Sequence, residues 1–126
     1  LDEIRGTLRG GMRAWIEAGL EQAHIPQVSV GELRDRLARN GAHVLDVRTD
    51  AEWRSGHIAG AQYLMAGYLP ERMKDVPKDK PVHVICGSGY RSSIATSLLR
   101  RAGYRDVTNV AGGMNAWKQQ GFPTVT

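Results

Sequence analysis

Three short runs of apolar and β-branched residues punctuate the chain: His-Val-Leu-Asp-Val-Arg at 43–48, Pro-Val-His-Val-Ile-Cys at 81–86 and Asp-Val-Thr-Asn-Val at 106–110. Such runs lack the strict in–out alternation of a half-exposed strand and match strands buried on both faces of a parallel sheet. Between them the apolar residues change to helical spacing. In "QVSVGELRDRLARNG", Val30, Leu33 and Leu37 share one helical face, Ser29 and Glu32 stand at capping-box spacing, and Asn40-Gly41 marks a stop. Thr49 and Glu52 repeat that spacing directly after the first run, which predicts a helical turn there. Farther on, Ile94, Ala95, Leu98, Leu99 and Ala102 fall on one face of a longer helix that Gly103 ends. Strands alternating with helices predict an α/β domain with a parallel central sheet and helices on both faces. In such sheets sites form beyond the carboxyl ends of the strands.

One stretch recurs. "RGGMRAWIEAG", Arg9 to Gly19, aligns without gaps on "AGGMNAWKQQG", Ala111 to Gly121, sharing Gly-Gly-Met-x-Ala-Trp and the closing glycine. The segment before it is too short to be a whole copy. Residues 1–27 are therefore expected to be an appendage, the tail of an upstream repeat plus a linker around Pro26, and residues 28–126 the domain itself. The alternative is an amphipathic helix that lays Met12 and Trp15 on that domain.

Composition narrows the classes. With 126 residues, 41% of them hydrophobic, the chain suits one domain with a real core. The net charge of +4 comes from 17 Lys and Arg interspersed with 13 Asp and Glu, and no basic run exceeds two residues. With only 6% aromatics, this argues for a solvated surface and against a nucleic-acid partner. No apolar stretch is long enough for a membrane span, and the charged, glycine-containing opening lacks the apolar core of a secretory signal. The histidines, His24, His43, His57 and His83, have no ligand spacing, and one cysteine cannot build a cage, so no metal and no cofactor are expected. A lone thiol also cannot close an internal disulfide, which favours a reducing compartment and a cytoplasmic location.

That thiol, Cys86, ends the second apolar run and is followed by Gly-Ser-Gly and then the longest helical pattern. After a parallel strand, a glycine-rich turn can curl its N–H groups inward while the next helix adds the positive end of its dipole. A thiolate is stabilised in such a cradle, so Cys86 is the candidate nucleophile.

Here the residues resemble a known family. "VLDVRTDAEWRSGHIAGAQYL", "CGSGYRS" and "NVAGGMNAW", in that order over about 28 to 126, look like a rhodanese domain, the sulfurtransferase fold. The resemblance implies that Cys86 attacks the outer, sulfane sulfur of a donor, stores it as a persulfide and passes it to a thiol, cyanide or a sulfur-carrier protein. It implies that the amides of Gly87, Ser88, Gly89, Tyr90 and Arg91 surround the terminal sulfur and that Arg91 offers a cation to an anionic donor. Arg48 is a further substrate-binding candidate, although pairing with Asp46 to brace the neighbouring loops is the reading favoured for it. His57 is expected to tie backbone together, and Trp53, Met114 and Trp117 to pack. Thiosulfate, glutathione persulfide and polysulfide remain open as donors. The opening remnant resembles repeats of tandem rhodaneses, or of rhodaneses fused to metallo-β-lactamase-fold proteins. The competing readings are a phosphatase or arsenate reductase, whose loop resembles Cys-x5-Arg where this one is Cys-x4-Arg, and a non-enzymatic binding module.

Overall fold

The computed structural model describes residues 25–39 and 41–126. The Arg9–Gly19 remnant lies outside the described residues. Five strands form one sheet: β1 (Gln27–Val28), β2 (His43–Asp46), β3 (Gln62–Tyr63), β4 (Val82–Ile85) and β5 (Val107–Val110). All neighbours are parallel, in the order β1-β5-β4-β2-β3. The three apolar runs are its centre, and β1 and β3 are two-residue edges. Pro26 and Gln27, expected in a linker, belong to the first edge: Gln27 pairs with Asn109, and the Asn109 N–H donates to the Pro26 carbonyl at 3.0 Å.

Both faces of the sheet are covered, because successive residues of a strand point to opposite sides. On one side Val82, Val84 and Cys86 join Leu45 and Val47 against Ile94, Ala95, Leu98 and Leu99 of the helix Tyr90–Arg101. On the other, Val44 and Ile85 meet Val30 and Leu33 of the helix Val30–Ala38, with Met114 and Trp117 of the closing helix Gly113–Gln119. Each such aliphatic side chain taken fully out of water contributes about 1.5–3 kcal/mol before the entropy of ordering is charged against it. Among the described residues the helices are, in chain order, α1 (Val30–Ala38), α2 (Asp50–Arg54), α3 (Leu69–Arg72), α4 (Tyr90–Arg101) and α5 (Gly113–Gln119).

Capping residues place the helix starts. Ser29 Oγ accepts the Glu32 N–H at 3.1 Å, which fixes the entry of α1. At α2 the box is complete: Thr49 Oγ1 accepts the Glu52 N–H, and Glu52 Oε1 accepts the Thr49 N–H at 3.1 Å. The segment between β3 and β4, with 3-10 turns at Ala66–Tyr68 and Met73–Asp75, is anchored by Tyr104, whose hydroxyl lies 2.7 and 2.6 Å from the carbonyls of Met73 and Val76. Among the described residues, no helix is long and apolar enough to cross a membrane.

Candidate active site

Cys86 follows the last residue of β4 at the carboxyl edge of the sheet, where Gly87, Ser88 and Gly89 carry the chain into α4. Its side chain is fully buried among apolar neighbours, and Sγ accepts the Gly89 N–H at 3.1 Å. Gly89 is the N-cap of α4 with φ +107°, a conformation that glycine adopts without strain. The backbone therefore turns sharply enough to aim an amide at the sulfur.

The loop is held from behind by α5. The Met114 N–H donates to the Cys86 carbonyl at 2.7 Å, and the Asn115 N–H to the Gly87 carbonyl at 2.9 Å. These bonds fix the two carbonyls at the start of the turn. Close approach is possible only because residue 113 is glycine, with φ +56°. A Cβ there would run into the Cys86 carbonyl oxygen and sit 2.7 Å from that of Gly87. The Gly-Gly-Met motif thus supports the loop that carries Cys86, a role its helical spacing does not announce.

The front of the loop carries an ion pair. Arg91, in the first turn of α4, donates Nη1 to Glu52 Oε1 at 2.8 Å and Nη2 to Glu52 Oε2 at 3.1 Å. Glu52 also accepts the Thr49 hydroxyl and N–H at 3.0 and 3.1 Å. The Arg91 hydrogen bond outweighs partial burial and holds the Glu52 carboxyl down at about 2, while Glu52 pushes the Arg91 guanidinium upward. The pair lies over Gly87, where a Cβ would come 3.1 Å from Arg91 Nη2 and 3.4 Å from Glu52 Oε2.

A family model described as the rhodanese-like domain matches residues 29–120. The chain belongs to the rhodanese-like family. It is similar to a sulfurtransferase of Allochromatium vinosum, 37% identical over 102 residues that cover 80% of this chain and 95% of the relative. A thiosulfate sulfurtransferase, GlpE, of Pseudoalteromonas translucida is 28% identical over 72% of this chain and 87% of its own. Among solved structures, a rhodanese-related protein of Thermoplasma volcanium superposes with a TM-score of 0.75 at 31% identity, covering 79% of this chain and 97% of that one.

Within this rhodanese-like domain the other candidates take distinct places. Ser88 and Tyr90 are exposed on the loop's rim, Tyr90 at 61%, and border a cavity of about 390 Å³ shared with Ser93, Asn109 and Gly112. Arg48 is buried and bound to Asp46, Nε to Oδ1 at 3.0 Å and Nη2 to Oδ2 at 2.9 Å; Nη2 also donates to the Gly56 carbonyl at 2.8 Å. It braces the turn after α2. His57 hydrogen-bonds the Trp53 carbonyl through Nδ1 at 2.8 Å, and its backbone pairs with Val125. Met114 and Trp117 are core residues, whereas Trp53 is only half-buried and stacks on His57 with ring centroids 3.5 Å apart. Sequence reasoning missed Glu52 as a site residue and Gly113 as a loop support. Capping-box spacing explains Glu52 locally and hides its partner 39 residues away.

Proposed function

We propose that this rhodanese-like domain is a sulfurtransferase that carries sulfane sulfur on Cys86. The Cys86 thiolate attacks the outer sulfur of a persulfide donor R–S–SH, forming Cys86–S–S⁻ as the donor's inner S–S bond breaks. The proton passes to the departing thiolate, which leaves as R–SH. With thiosulfate, sulfite leaves in its place. In the second half, an acceptor thiolate or cyanide attacks the terminal sulfur, and its bond to Cys86 Sγ breaks to restore the thiolate. No net oxidation occurs, so the cycle needs no redox cofactor. The amides of residues 87 to 91 receive the terminal sulfur's charge at the start of α4.

The observation that carries this reading is the geometry at Cys86: a thiol at the carboxyl end of a central strand, bonded by the Gly89 amide and set in a loop whose carbonyls are held by α5. The sulfurtransferase names of relatives support the class. The candidate donors are thiosulfate, glutathione persulfide and polysulfide, and the candidate acceptors are a small thiol, cyanide or a sulfur-carrier protein, in a reducing, cytoplasmic setting. These 126 residues hold no second cysteine to resolve the persulfide, so an acceptor thiol lies outside them. Intact mass spectrometry after exposure to a donor should show the gain of one sulfur atom, reversed by cyanide and absent in Cys86→Ser. A sulfur gain that persists in the serine variant refutes the assignment.

A further inference from the structure

We propose that Glu52 is a specificity-determining residue that turns doubly charged sulfur donors away from Cys86 and leaves the site to donors with one charge, or none, next to the sulfur under attack. This inference rests on the sulfur-transfer reading above and adds the rule by which donors are chosen. It starts from the state of the cations around the loop. Among the described residues, three arginines stand on the elements that surround it, and each is closed on a carboxylate: Arg48 on Asp46 at 2.9 Å, Arg54 on Asp50 at 2.8 Å and Arg91 on Glu52 at 2.8 Å. Residues 87 to 90 carry no charge. Among the described residues, what is left at the loop to receive an anion is backbone N–H and the start of α4, a cradle suited to one negative charge, as in Cys86–S–S⁻.

Arg91 is the residue that could change this, and Glu52 prevents it. The pair is bidentate, and a two-point fork is stronger and more directional than a single contact. Its acidic end is fixed independently, because Thr49 donates both its hydroxyl and its N–H to Oε1 at the start of α2. With Arg91 holding its carboxyl at about 2, Glu52 stays ionised through the whole working range of pH. Its Oε2 stands 3.4 Å from where a side chain on Gly87 would begin, one residue beyond the thiol. A dianion approaching Cys86 therefore meets a neutralised guanidinium and a fixed negative charge.

The test uses two donors that share a sulfane sulfur and differ in charge, thiosulfate and methanethiosulfonate. In each, the Cys86 thiolate takes the outer sulfur and the S–S bond breaks, releasing sulfite from the first and methanesulfinate from the second. With cyanide as acceptor, thiocyanate formation gives kcat/KM for both, and their ratio is compared between proteins so that intrinsic donor reactivity cancels. In Glu52→Gln the amide can still serve the capping box but carries no charge, so the thiosulfate-to-methanethiosulfonate ratio should rise about tenfold. In Arg91→Gln the carboxylate is left without its partner, and the ratio should fall several-fold below that of the native protein. A merely structural pair would move both donors in proportion and leave the ratio fixed in both variants, which overturns the proposal. So does a ratio that moves in the same direction in both. If Cys86 of the native protein gains sulfur from neither donor nor from glutathione persulfide, the sulfur-transfer reading fails first, and the intact mass shows it directly.

Discussion

Gly113→Ala isolates the support behind the reactive loop. At φ +56° an alanine pays the left-handed penalty of about 1–2 kcal/mol, and its methyl also meets two backbone carbonyls that cannot rotate away. Relief requires giving up the hydrogen bonds from Met114 to Cys86 and from Asn115 to Gly87, at about 1 kcal/mol each. The expected loss is therefore about 3–4 kcal/mol, a fall in Tm of about 15–25 °C for a domain of this size. Gly121 is the control: it has φ +78° but nothing within 4 Å of a Cβ, so Gly121→Ala should show the backbone penalty alone, about 1–2 kcal/mol. Chemistry should separate the two further. Displacing the Cys86 carbonyl moves the amides off the sulfur, and misplacement approaching 1 Å costs about a hundredfold in rate. Thermal melts and single-turnover sulfur transfer, each normalised to folded protein, test this. If Gly113→Ala melts with Gly121→Ala and transfers sulfur at the native rate, the loop does not depend on α5 and the reasoning is wrong.

Arg48→Ala leaves Asp46 buried without its partner and should cost about 3–5 kcal/mol, while Asp46→Ala with Arg48→Ala should cost less than Arg48→Ala alone; chemical denaturation measures both. Sulfur transfer per folded molecule should change far less than stability in these variants, since Arg48 is bonded to Asp46 and Gly56 and not to the loop. The Glu52 carboxyl is held at about 2 in the fold against 4.5 unperturbed, so its stabilisation is complete above pH 4.5 and disappears as pH falls through 2. The Tm gap between the native protein and Glu52→Gln should accordingly shrink over that interval, and a gap independent of pH would contradict it. Deleting residues 1–24 should leave sulfur transfer at Cys86 near the native rate, which steady-state assays decide.

The strands at the centre of the sheet are legible in the sequence because each is a short run dominated by apolar and β-branched residues, as burial on both faces favours. The edges are not: Gln27–Val28 and Gln62–Tyr63 pair through two residues each, too few to show any period. Cys86 is legible because its neighbours lose their side chains where a packed cysteine would keep apolar company, yet the thiol proves to be buried as well as bonded by an amide. Position in the turn, not exposure, is what marks it as a candidate. The Glu52–Arg91 pair and the contact of Gly113 with the loop depend on elements far apart in the chain, and neither residue has a local pattern that reveals its partner. Asp46 and Arg48 could be paired in advance because a single residue, Val47, separates them just past the end of β2.

The dependence of the loop on α5 also sets an order in time. During synthesis β4, Cys86 and α4 leave the ribosome before Met114 and Asn115 exist to hold the carbonyls of residues 86 and 87. Until α5 docks, the carbonyls of Cys86 and Gly87 lack these two donors. On the sulfur-transfer reading proposed above, a nascent chain can carry every residue of the loop and still lack the two α5 bonds that fix it, so the loading geometry is complete only when α5 docks. A protease that cut the chain between β5 and α5 would reverse that step, switching off sulfur loading without touching the loop.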